Sequence, residues 1–206
     1  MHRVLFALCF AVIGLVVFPI LRSASAADGF ARLPGEQGKQ SPLRMRIVQY
    51  AGSTNGAITV EVKNPTDQAQ EFSAKGIYFV PTGNPNEAPQ RLGAVGPFQL
   101  QSDNGTSQRM DHTTIAAGAT ARMTLDVYCI DSHRASPSSS TSFRIAKDRV
   151  PEPLSKAIDQ DATRAAAAYG GVSAAPAKGS VQSEVWKNRD KKWIKLDGEG
   201  AQEAHK

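Results

Sequence analysis

The sequence predicts a mainly β fold: an antiparallel β-sandwich, immunoglobulin-like or similar, with two helical segments packed on it near the C-terminus. Three observations predict it. Apolar and polar residues alternate with a period of two in several stretches between residues 43 and 129. Turn chemistry rich in glycine, asparagine and proline separates those stretches at short intervals. Beyond residue 151 the apolar spacing lengthens to that of a helix.

The chain opens with MHRVLFALCFAVIGLVVFPILRSASA, which has a basic residue at Arg3, an apolar run from Val4 to Leu21, and small residues at Ala24 and Ala26. This reads as a secretory signal peptide over residues 1–26, cut before Ala27 or Asp28. An uncleaved membrane anchor is the competing reading, because the apolar run approaches the length of a span. Cleavage removes Cys9, leaves Cys129 as the single thiol, and makes the mature protein secreted or periplasmic with no membrane span. It also removes Arg3 and Arg22, so Lys+Arg falls from 24 to 22 against 19 acidic residues, a net charge of +3. That charge is mild and its basic residues are interspersed with acidic ones, which argues against a nucleic-acid partner.

Residues 27–41, polar and glycine-rich, are expected to form a flexible leader. The sandwich is expected over 42–147. Leu43, Met45 and Ile47 alternate with Arg44 and Arg46, and Ile58, Val60 and Val62 alternate with Thr59, Glu61 and Lys63; Asn55-Gly56 between them is a hairpin signal. EFSAKGIYFVPTG supplies a further strand. QRLGAVGPFQLQS, interrupted by glycine and proline, suggests an edge strand or a bulge. HTTIAAGATARMTLDVYCI turns at Ala117-Gly118 and then places Met123, Leu125, Val127 and Cys129 on one face. A last strand is expected at FRIA.

Residues 148–206 are expected to be a helical appendage and polar tail. Pro151 and Pro153 precede a helix with Leu154, Ile158, Ala162, Ala165 and Tyr169 on one face, ended by Gly170-Gly171. Ser180 is a plausible N-cap for a second helix, VQSEVWKN. DKKWIKLDGEGAQEAHK reads as a short strand and a tail without a hydrophobic anchor.

Function turns on Cys129, in VYCIDSHRAS. On the inward face it is a small buried hydrophobe and chemically inert, which makes the protein a non-catalytic structural sandwich. A second chemistry pairs it with Gln182. A cysteine held against a glutamine amide, away from bulk water, can expel ammonia and leave an internal thioester that acylates an incoming amine. YCI at 128–130 and VQSEVW at 181–186 resemble the two motifs of the bacterial thioester domains of surface adhesins. The resemblance implies that Cys129 and Gln182 are the thioester pair, that Tyr128, Val185 and Trp186 support them, and that the partner is a protein or cell-surface ligand bearing an amine. No cofactor is required.

The alternative is a cupredoxin-like copper site. Cys129, Asp131 and His133 project the same way on an extended segment; His112, Cys129 and His133 supply the copper ligands, with Met110 or Met123 as the axial one. A hydrolytic Cys129–His133 pair has no orienting third group and no oxyanion hole in the sequence. An intermolecular disulfide needs an exposed thiol, which the alternation denies. The expected function is therefore an exported binding or adhesion module, not a turnover enzyme.

Overall fold

The computed structural model describes residues 29–52, 56–102, 104–169, 175–191 and 195–200. Ten strands and two helices are present among them: β1 (Ala31–Pro34), β2 (Gln40–Tyr50), β3 (Ala57–Lys63), β4 (Gln70–Ser73), β5 (Tyr78–Pro81), β6 (Leu92–Gln101), β7 (Ser107–Met110), β8 (His112–Ile115), β9 (Thr120–Cys129), β10 (Phe143–Ile145), α1 (Glu152–Tyr169) and α2 (Ala175–Lys191). All strand pairs are antiparallel. The large sheet runs β1-β2-β3-β9-β6-β5-β10, with β7 also on β6, and a two-stranded sheet, β4-β8, forms the second layer. This is the expected mainly β antiparallel sandwich with two helices near the C-terminus, though its layers are unequal.

The alternation read from the sequence becomes the inner core. Met45, Ile58, Val60, Val62, Met123, Leu125, Val127 and Cys129 are all buried there. Phe72 of β4 meets Phe98 of β6 edge to face at 5.3 Å, joining the two layers. The large sheet also curls on itself, since Tyr50 of β2 meets Phe143 of β10 at 5.2 Å. The opposite face of the large sheet, with Tyr78, Val95, Tyr128 and Ile130, is covered by Leu154 and Ile158 of α1 and by Val181 and Val185 of α2.

Several expectations need correction. The supposed leader supplies β1, and its Phe30 and Leu33 are buried, because Ala31 and Arg32 pair with Met45 and Arg44 of β2 and carry the chain onto the core. EFSAKGIYFVPTG is two strands in different sheets, broken at Gly76, whose φ of +73° suits a residue without a side chain. β6 is interior, not an edge, and its interruption is a bulge between Ala94 and Phe98 around Gly96. The turn expected at Ala117-Gly118 is present, and the chain changes layers there, since β8 pairs with β4 and β9 with β3 and β6. α2 begins at Ala175, which puts Ser180 inside the helix rather than at its cap. The signal peptide, Asn55 of the hairpin turn, Gly170-Gly171 and Trp193-Ile194 lie outside the described residues. No described helix is long and apolar enough to cross a membrane.

Candidate site at the end of strand β9

Alternate backbone groups of β9 face β3. Among the described residues the ladder with β3 ends where Val127 donates its N–H to Gly56 O at 3.0 Å. Cys129 is the next β9 residue whose N–H and carbonyl face that side. Buried backbone groups left there without partners would be costly. A side chain takes the place of the missing strand: Cys129 donates its N–H to Gln182 Oε1 at 2.9 Å, and Gln182 Nε2 donates to the Cys129 carbonyl at 2.7 Å. Gln182, 53 positions away on α2, is 4 % exposed, and Cys129 is fully buried.

The same helical stripe carries Trp186, one turn on. Its Nε1 donates to Gln90 Oε1 at 3.0 Å, and its ring packs against the inner core to which Cys129 belongs. Val181 and Val185 point instead into the outer cluster with Tyr128 and Ile130. α2 thus straddles the end of the sandwich, with its Gln182–Trp186 stripe at the gap that β3 leaves.

The thiol is a free cysteine, and burial, then the nearby Asp131 carboxylate, push it up from 9.0 to about 12. Burial also raises the Tyr128 phenol, with Asp126 adding to it, and its buried hydroxyl has no hydrogen-bond partner among the described residues. At ordinary pH such a thiol stays protonated.

The extended segment expected to align Cys129, Asp131 and His133 stops at Cys129. Asp131 turns inward and is fully buried. It accepts from Arg91 Nε at 2.7 Å and Nη2 at 2.6 Å, and from the Arg91 backbone N–H at 3.1 Å. The chain then turns, with Arg134 N–H bonding Asp131 O, and His133 is exposed. His112 is exposed on β8, in the other sheet; Met123 is buried in the inner core, and Met110 is partly buried on β7. Among the described residues no three His, Cys, Asp or Glu side chains gather as a metal site requires. The residues offered for copper are therefore not brought together, whereas Cys129 and Gln182 are.

Sequence reasoning missed the charged cluster beside the site. Arg91 and Arg189 are among the largest fully buried side chains, and both approach Asp131 and Glu199. Nothing in QRLG or KNRDKK marks either arginine as buried. The spacing of Arg189, seven residues or two turns beyond Gln182, was the one available signal. The tail expected to lack an anchor has one in Leu196, which is 4 % exposed.

Comparison with known proteins adds little. No family model and no curated protein matches the chain. A solved structure with some likeness, that of a DUF1425 family member from Shewanella sp. pv-4, shares 9 % identity, covers 61 % of this chain and 94 % of its own, and superposes with a TM-score of 0.24. A likeness of that degree carries no argument about what this chain does.

Proposed function

We propose that this protein is an exported binding module of the adhesion type, which joins covalently to an amine-bearing protein or cell-surface ligand through an internal Cys129–Gln182 thioester. The observation that carries the reading is the seat of the Gln182 amide on the Cys129 backbone. It holds the acyl group beside the residue that bears the thiol. The Cys129 N–H bonded to Oε1 is also aimed at the atom that becomes negative when a nucleophile attacks the amide carbon. This supplies the donor that the sequence did not reveal. Burial keeps water from the bond once formed.

The chemistry balances without a cofactor. Cys129 Sγ forms a bond to Gln182 Cδ, the Cδ–Nε2 bond breaks, and the amide nitrogen leaves as ammonia with the thiol proton. An amine from the partner later attacks the same carbon. Its nitrogen bonds to Cδ, the sulfur departs, and the amine proton restores the thiol. The raised thiol pKa slows the first step, but that step occurs once per molecule, so a slow rate suffices. Such a bond is spent in one event, which is binding rather than turnover.

The competing reading is a structural sandwich in which Gln182 only replaces a strand and Cys129 is core. Intact mass of the purified protein, with thiol titration under denaturing conditions, separates them. The thioester predicts a deficit of one ammonia and no titratable thiol until methylamine opens the bond and adds its own mass. Full mass with one thiol sinks the covalent reading.

A further inference from the structure

Gln182 is one of four α2 side chains that bond to β9 and to the segments beside its end. Lys178 pairs with Asp126 at 3.2 Å, Gln182 sits on Cys129, Trp186 bonds Gln90, and Arg189 lies between Glu199, at 3.2 Å, and Asp131, at 3.9 Å. Lys178 and Arg189, eleven helical residues and roughly 16 Å apart, take their partners on Asp126 of β9 and on Asp131 just beyond its end. The helix therefore has an anchor on each side of Gln182.

The far anchor depends on the segment after α2. There Leu196 is buried and Asp197 takes Arg144 in a two-point ion pair, with contacts at 2.6 and 2.9 Å. The Asp197 N–H donates to Tyr78 Oη at 2.8 Å, and its carbonyl accepts from Arg91 Nη1 at 3.2 Å. A Cβ at Gly198, where φ is +79°, would collide with Val80. This strap delivers Glu199, whose Oε1 accepts from Arg189 Nη2 and from the Leu196 N–H. The buried cluster then holds two guanidinium groups, Arg91 and Arg189, against two carboxylates, Asp131 and Glu199. Without the Glu199 charge, Arg189 loses its 3.2 Å ion pair, and within this cluster it keeps only the longer approach to Asp131 at 3.9 Å, which Arg91 already holds in two-point contact.

We infer that Glu199, brought in by the C-terminal strap, is a positioning residue that seats Gln182 on Cys129 by holding Arg189, two turns along the same helix. As a role in thioester formation this rests on the reading above, but the seating can be measured without it. The Cys129 N–H bonds Gln182 Oε1, and that oxygen stays on the acyl carbon in either covalent state.

The test is hydrogen exchange of the Cys129 amide in the full chain carrying Glu199→Gln, read beside the Val60 and Met123 amides in the middle of the β3–β9 ladder, with intact mass on the same samples. The expected result is exchange at Cys129 faster by at least about tenfold with the ladder amides unchanged, and a smaller ammonia-deficient fraction. Parental exchange at Cys129 in a folded variant overturns the inference. Should Glu199→Gln speed all three amides alike, Arg144→Gln decides, because it loosens the strap from its exposed end; exchange at Cys129 alone, faster by about threefold, supports the seating, and an unchanged rate overturns it. A parent protein of full mass would end the thioester reading while leaving the exchange result to judge Glu199.

Discussion

α1 and α2 are nearly equal in length, 18 and 17 residues, and cover the same sheet face, yet they dock by different chemistry. α1 leans on Leu154 and Ile158 at helical spacing. α2 contributes Val181 and Val185, but its register is set by polar groups: an amide on a strand backbone, an indole N–H on a buried glutamine, and a guanidinium in a buried charge cluster. Apolar contact is non-directional and tolerates sliding. Hydrogen bonds at 2.7–2.9 Å do not. The difference matters to the proposed thioester, because its two members would have to be held at one distance, and α2 carries Gln182.

The strongest way to break this contrast is Arg91→Met. It leaves the Asp131 carboxylate buried without its two-point partner, and the expected loss is about 3–5 kcal/mol, read as a fall in the urea midpoint. A loss below about 1 kcal/mol would mean that Arg189 balances Asp131 alone, and the polar docking of α2 would be looser than described.

Next come Leu154→Ala and Gln182→Ala, one per helix. The first should cost about 2–5 kcal/mol through the cavity it leaves. The second should cost about 2–4 kcal/mol, because two buried backbone groups of Cys129 lose their partner. Gln182→Leu sharpens the comparison. If it restores most of the stability lost in Gln182→Ala, α2 docks apolarly after all and the two helices are alike.

A smaller effect is expected in alkali. If the thiol is free, the unfolded chain releases its proton near 9.0 while the buried Cys129 holds it to about 12. The stability tied to that thiol is present in full below pH 9 and is lost as pH rises toward 12. Unfolding curves of the parent and of Cys129→Ala, compared across that window, isolate the contribution from that of Tyr128. A chain carrying the thioester has no thiol to titrate, so its stability should change in parallel with the variant's.

The smallest effect belongs to the solvent face of α2. Lys187 pairs with Glu184 one turn back, on an exposed surface. Lys187→Gln should cost about 0.3 kcal/mol and leave the Cys129 amide as protected as in the parent. Loss of that protection would show that the exposed face also sets the register.

How much of this was legible depends on which residues carried the information. The strands around Val60 and Met123 were readable because a face buried over several residues imposes a period of two. Cys129 was placed inward by that period, correctly. The motif around Gln182 picked out the residue that meets Cys129, but nothing in VQSEVW says that the meeting is between an amide and a backbone edge. Gln90, Arg91, Arg189 and Glu199 were illegible. Each is polar, and their burial depends on partners from 10 to 108 positions away.

By itself the sequence determined the class of fold, the inward face of β9, the helical nature of the region after residue 151, and the pairing of one cysteine with one glutamine as a chemical possibility. These are local properties, since a strand's alternation and a helix's spacing are written within a dozen residues. Only the tertiary structure decided that β3 ends one ladder step short of Cys129, and that Gln182 fills the vacant edge. It alone brought Glu199 back over α2 to complete a buried cluster with Arg91, Asp131 and Arg189. The physical reason is the same in each case: a buried polar group must be satisfied, and which group satisfies it is settled by where the chain has been carried, not by its neighbours in sequence.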